Sequence, residues 1–249
     1  MSREFQIIRE VDLPAAPGDV WTAITAETAA WQFPTGMEIP AGASPPDGAP
    51  VTTWDPPNRL VIRMESPDGT FNALDYTIEA RAGGTAHLRY VHSGILADDW
   101  EDQYDAIDGH TDFYLHTLGQ YLQHFNGRPV TYVGQPSAGI EGPASAGTPD
   151  AMHKLRAALG IGDGAAVGHA VHADLGGAGS LDGVIDYLTP HFLGIRSGDG
   201  LWRFFGRNHF GSVVGMSAHI FRDDVDSVAT EAALKSWLDD VYARAPSPR

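Results

Sequence analysis

Apolar and polar positions alternate over residues 5–13. Phe5, Ile7, Arg9 and Val11 fall on one side, with Gln6, Ile8, Glu10 and Asp12 on the other. This predicts a strand, stopped by the Pro14–Pro17 turn. The period then lengthens. Val20, Trp21, Ile24 and Trp31 follow helical spacing, and Asp19 is placed to cap that helix. Residues 40–50, PAGASPPDGAP, can only be loop. Period two returns over 60–65 and 72–80, which predicts a hairpin around the turn SPDGT. A strand is expected over 86–93. A long helix is expected over 98–125, ended by Gly127 and Pro129. Strand, helix, antiparallel strands and long helix together give an α+β class.

Residues 134–150, GQPSAGIEGPASAGTPD, are rich in Gly, Pro, Ser and Ala and lack apolar periodicity, so they read as a linker. Beyond them, a helix is predicted over 149–159. Short strands are predicted over 167–175, 183–187, 192–196, 201–206 and 213–221. A last helix over 230–243 places Leu234, Trp237, Leu238 and Val241 on one face. The expected organisation is a domain over 1–133, a linker over 134–150, and a smaller α+β domain over 151–249. The segment TPHFLGIRSGDGLWRFFGR faintly echoes PPNRLVIRMESPDGTFNALDY. The echo suggests that the second part is a shortened, degenerate copy of the first.

Composition narrows the function classes. The 249 residues can bury one large core or two smaller ones. The net charge of −16 opposes binding to nucleic acid and to anionic membrane, so neither is expected as a partner. There is no cysteine, which excludes disulfides, thiolate metal sites and a cysteine nucleophile. The N-terminus carries charges throughout and has no apolar core of a signal peptide, and no run is long enough to span a membrane, so a cytoplasmic location is expected. No metal and no cofactor are expected. His169 and His172 would lie on opposite faces of a strand, His110 and His116 are spaced too far apart for one helical face, and HExxH, GxGxxG and Walker signatures are missing. Residues 211–215, GSVVG, do not form the GxSxG nucleophile elbow.

Val20-Trp21, the run Trp54-Asp55-Pro56-Pro57-Asn58-Arg59-Leu60 and the long helix ending in Gly127-Arg128-Pro129 carry a resemblance. Residues 3 to about 133 resemble the START-like or SRPBCC superfamily of helix-grip proteins. The branch they are most similar to is that of the activator of the ninety-kilodalton heat-shock chaperone's ATPase (AHSA-like). The resemblance implies a curved antiparallel sheet gripping a long C-terminal helix, with a cavity between them. The superfamily includes lipid and hormone binders, aromatase/cyclases and chaperone co-factors, so the resemblance locates a site better than it names a reaction.

On the long helix, Trp100, Tyr104, Ile107, Thr111, Tyr114, Leu118, Leu122 and Phe125 recur at spacings of three and four. Gln103, His110, Thr117, Tyr121 and His124 run beside them. The stripe is either ordinary core or the wall of a pocket edged by a few polar groups. The candidate ligand-binding residues are Trp21, Trp31, Phe33, Trp54, Tyr76, His92, His110, Tyr114, Thr117 and Leu118. His110 is the preferred polar group, because it sits mid-helix beside the apolar row and an ordinary histidine there can donate, accept or pass a proton. The four aromatics Trp21, Trp31, Phe33 and Trp54 are expected to cluster at one end of the groove. Arg196, Arg203 and Arg207 with Trp202, Phe204 and Phe205 form a basic-aromatic cluster, most simply paired with acidic groups of the same chain.

Three functions remain open at this stage. The first is binding of a small hydrophobic or aromatic ligand between the first sheet and helix 98–125. The second is a protein-interaction module acting as a co-factor to a chaperone or another ATPase. The third is a cyclase/dehydratase-type enzyme using His and Tyr as acid–base groups, which requires His110 and a Tyr hydroxyl to open into one cavity.

Overall fold

A computed structural model of the protein describes residues 3–96 and 100–243, and the side chains of all of these save 96 and 100–103. Contacts divide the chain into two compact units, Met1–Gly127 and Arg128–Arg249. They are nearly equal in length, so the second is not the smaller domain expected from sequence.

The first unit runs β1 (Arg3–Leu13), α1 (Pro17–Thr25), a 3-10 turn at Thr28–Ala30, β2 (Val51–Asp55), β3 (Arg59–Glu65), β4 (Phe71–Arg81), β5 (Thr85–Leu96) and α2 (Trp100–His124). Its antiparallel sheet has the order β1-β5-β4-β3-β2. The chain thus forms a meander from β2 to β5, and β1 completes the sheet beside the last strand. Opposed residues share a face, so the register defines the inner side. Ile7 faces His92, Arg9 faces Tyr90, Tyr76 faces Tyr90, Ile78 faces Leu88 and Leu60 faces Tyr76.

Helix α2 lies against β1 and β5, and α1 against β4, β5 and α2. The apolar residues of this layer are fully removed from water: Ile7, Leu60, Ile78, Leu88, Val20, Ile24, Leu118 and Leu122 are all buried. Each such side chain contributes about 1.5–3 kcal/mol. A polar clamp adds direction. Arg9 of β1 reaches Asp112 at 2.5 Å and Asp108 at 2.8 Å, one helical turn apart on α2. At the end of α2, Gly127 has a positive φ of 71°, and its N–H donates to the Tyr121 hydroxyl at 3.1 Å. At the start of α1, the cap position belongs to Ala16, followed by Pro17. Asp19 stands within the first turn, where its charge suits the helix dipole without capping.

The second unit contains β6 (Thr131–Val133), β7 (Ile140–Glu141), α3 (Ala151–Ala158), β8 (Ala170–Asp174), β9 (Ser180–Leu188), β10 (Phe192–Ser197), β11 (Gly200–Gly206), β12 (Val214–Ile220) and α4 (Ser227–Ala243). Its seven-stranded sheet has the order β6-β12-β11-β10-β9-β8, with β7 also on β12. Residues 134–150, expected as a linker, belong to this unit. Ile140 and Ala146 are buried and β7 pairs with β12. The glycines there permit close backbone approach. A Cβ on Gly139 would stand 2.5 Å from the Met216 carbonyl, and one on Gly142 would stand 2.9 Å from that of Val214.

Both units therefore follow one order: an opening strand, a helix, an antiparallel meander, and a closing helix, with the opening strand beside the last. The echoing segments fall on corresponding hairpins, β3–β4 and β10–β11, the two strands that precede the last in each unit. In the second unit the face beneath the helices is filled by Trp202, Phe204, Met216, Leu234, Trp237 and Leu238, among others. Among the described residues no helix is long and apolar enough to cross a membrane.

Candidate functional site

A cavity of about 270 Å³ lies in the first unit, beside α1. Three elements build it. The sheet supplies the floor: Leu60 and Ile62 from β3, and Leu74 and Tyr76 from β4, all on the inner face by register. The end of α1 and the 3-10 turn supply Ile24, Thr25 and Thr28. The loop over residues 31–50 closes the rest with Trp31, Met37, Ile39, Pro46 and Pro50. That loop is pinned to its neighbours. The Ile39 N–H donates to the Thr25 carbonyl at 3.0 Å, and the Arg63 N–H donates to the Pro50 carbonyl at 2.7 Å.

Most polar groups of the wall are committed to the protein itself. The Trp31 indole N–H donates to the Ala23 carbonyl at 2.9 Å, and the Thr25 hydroxyl donates to that of Trp21 at 2.7 Å. Glu38 is the one charged residue of the lining. Its Oε1 accepts from the Thr28 hydroxyl at 2.6 Å, the Thr35 N–H at 2.6 Å and the Thr35 hydroxyl at 3.1 Å. Burial pushes the Glu38 carboxyl up, but the donors from Thr28 and Thr35 outweigh it and hold it below the usual glutamate range. Burial raises the Tyr76 phenol well above its ordinary value, so it stays protonated, and Tyr90, its cross-strand neighbour at 5.0 Å between ring centroids, is raised likewise.

Of the ten candidate residues, Trp31 and Tyr76 line this cavity. The expected cluster of four aromatics separates. Trp21 meets Trp54 edge-on at 4.8 Å, whereas Phe33 meets Tyr114 at 6.1 Å. Among the described residues, those that line this cavity come from α1, the 3-10 turn, the loop after it and strands β2, β3 and β4, and none from α2. His110 directs Nδ1 at the Ala106 carbonyl, 2.7 Å away, and its ring lies 6.1 Å from that of Tyr114. Thr117 is buried and donates to the Phe113 carbonyl at 2.8 Å, and Leu118 is core. The side chains of Trp100 and Gln103 lie outside the described residues.

His92 stands elsewhere on the inner face. It packs edge-on against Phe5 at 5.1 Å, and its Nε2 is 3.1 Å from Asn72 Oδ1. Burial pulls its pKa down to about 4, so the ring is neutral near pH 7. A row of rings runs from it through Tyr90, at 6.4 Å, to Tyr76 at the cavity. In the second unit, Arg203 and Asp186 form a buried ion pair, with Nη1 at 3.0 and 2.9 Å from the two carboxylate oxygens. Arg207 donates to the carbonyls of Ala138 and Ser137, and its guanidinium lies 4.8 Å over Phe205. Two of the three arginines of the basic-aromatic cluster thus meet groups of their own unit. Among the described residues no three acidic or histidine groups converge as a metal site.

Sequence reasoning missed Glu38, Thr28, Thr35 and the wall from 36 to 50. The alternation of Leu60, Ile62, Leu74 and Tyr76 was the available signal for the floor. No local pattern links Glu38 to Thr28, ten residues away.

No protein-family model matches the chain, and no curated protein matches it. Among solved structures, the chain is similar to the Aha1 dimer from Colwellia psychrerythraea, at 16% identity over 49% of this chain and 99% of that one, with a TM-score of 0.37. It is similar to CalU16 from Micromonospora echinospora, at 18% identity over 47% of this chain and 74% of that one, with a TM-score of 0.34. It is also similar to DynU16, a protein of the dynemicin biosynthetic locus, at 15% identity over 96% of both chains, with a TM-score of 0.35.

Proposed function

We propose that the first unit is a START-like helix-grip domain that binds a small, largely apolar ligand in the cavity beside α1. The observation that carries this reading is the lining itself. Ile24, Met37, Ile39, Leu60, Ile62 and Leu74 surround about 270 Å³ of space, while neighbouring polar groups are satisfied within the protein. A space of this size and polarity is near the lower end of small-molecule sites. The sheet order and the helix after the last strand support the helix-grip assignment. In this reading the second unit is a second copy of the same topology with its core filled, which gives it a structural or partner-facing role. The cyclase-type reading needs His110 and a tyrosine hydroxyl in one cavity. Tyr76 lines the cavity and His110 does not.

The test is native mass spectrometry after incubation with a hydrophobic metabolite extract. The wild-type protein is expected to retain a small-molecule adduct. Leu74→Trp, which fills the cavity from its floor, is expected to lose it. No adduct on the wild type, or an equal adduct on Leu74→Trp, contradicts the reading.

A further inference from the structure

The cavity's single charge gives it a ligand class. We infer that the site selects an apolar molecule bearing one cationic nitrogen, with Glu38 as the residue that recognises the cation; this rests on the ligand-binding reading above.

Three observations lead there. First, Glu38 is the only charged residue among those that line the cavity, so the sign of the site is set by one group. Second, that group is built to stay ionised. Oε1 accepts three hydrogen bonds from Thr28 and Thr35, an arrangement that favours the carboxylate over the acid. Third, the protein supplies no counter-charge. Among the described residues no charged group acts on the Glu38 carboxyl, and its side-chain donors, Thr28 and Thr35, both meet Oε1. A carboxylate without a counter-charge at the edge of an apolar cavity favours an incoming ammonium and opposes an incoming anion. The Thr25 and Thr28 hydroxyls and the Trp31 N–H are neutral and spend their protons on protein acceptors, so Glu38 is the strongest acceptor the lining offers a cation.

The three hydrogen bonds also have a structural use, since they hold residues 35–38 against the 3-10 turn. The two roles separate in Glu38→Gln. The amide oxygen can still accept from Thr28 and Thr35, whereas the charge is gone.

The experiment measures binding of three compounds of one shape by isothermal titration calorimetry at pH 7: 4-phenylbutylamine, 4-phenylbutan-1-ol and 4-phenylbutanoate. In the wild type the amine is expected to bind roughly tenfold or more tighter than the alcohol, the gain of one charge-assisted hydrogen bond, and the carboxylate weakest. In Glu38→Gln the amine is expected to fall to the level that the alcohol shows in the same variant. Equal binding of amine and alcohol to the wild type, or an amine preference that survives in Glu38→Gln, overturns the inference and leaves the cavity reading standing. Binding of none of the three overturns both. Should Glu38→Gln not fold, Glu38→Asp serves the same end, because a shortened carboxylate should weaken the amine selectively.

Discussion

Thr28 donates its hydroxyl to Glu38 Oε1 at 2.6 Å, and so joins the turn after α1 to the loop that walls the cavity. Thr28→Val keeps the branched shape and removes the donor. The expected cost is about 1 kcal/mol of stability. The Glu38 carboxyl should titrate higher in the variant, nearer the ordinary glutamate value. A group whose folded pKa is depressed contributes stability above its unfolded pKa and loses it as pH falls through the folded value. The gap between wild type and variant should therefore be full at neutral pH and close on acidification. A carbon-13 NMR titration of Glu38, with urea unfolding at two pH values, measures both.

His92 should make the protein acid-sensitive in a defined window. Its folded pKa is about 4, against about 6.5 for an ordinary histidine. Between these values the unfolded chain binds more protons than the folded one, so stability rises with pH there and is lost as pH falls from 6.5 to 4. After discounting for solvent at the exposed Asn72 end, the effect is on the order of 1–2 kcal/mol. Chemical denaturation of the wild type and His92→Gln at pH 7.5 and 4.5 should show the wild type losing more by that amount. Equal losses would mean that His92 titrates normally.

How much of this was legible in the sequence follows from how local each signal is. The β3–β4 hairpin was readable because Leu60, Ile62, Leu74 and Tyr76 alternate around a Pro-Asp-Gly turn. Helix α2 was readable from its three-and-four spacing, although that spacing says which face is buried and not where a space remains. Strand β2 was missed, since five residues after a Pro-rich loop carry almost no period. Residues 134–150 were misread because Gly, Pro and Ser suggest flexibility, whereas Gly139 and Gly142 are small to let the backbone touch β12. The wall of the cavity beside α1 was not legible for a similar reason: it is a loop held by bonds from Thr28 to Glu38 and from Ile39 to Thr25, which no periodicity encodes.

The Arg203–Asp186 pair predicts a non-additive response in the second unit. Both side chains are buried, at 1% and 4% exposure, so loss of one removes a counter-charge from the other in a dry setting. Arg203→Met alone is expected to cost about 3–5 kcal/mol, and most of that should return in Arg203→Met/Asp186→Leu. Gly194→Ala should mimic the single variant. A Cβ there would press on the Asp186 carboxylate and stand 2.6 Å from Arg203 Nη1. Thermal unfolding of the four proteins gives the comparison.

The place of the ligand is the central claim, and methyl NMR tests it most directly. Titration with 4-phenylbutan-1-ol is expected to shift the methyl signals of Ile24, Ile39, Leu60, Ile62 and Leu74, the residues around the cavity beside α1. The Leu118 methyls, in the core on α2, should stay in place. Shifts centred on Leu118 and its neighbours on α2, with the cavity methyls unmoved, would contradict the account.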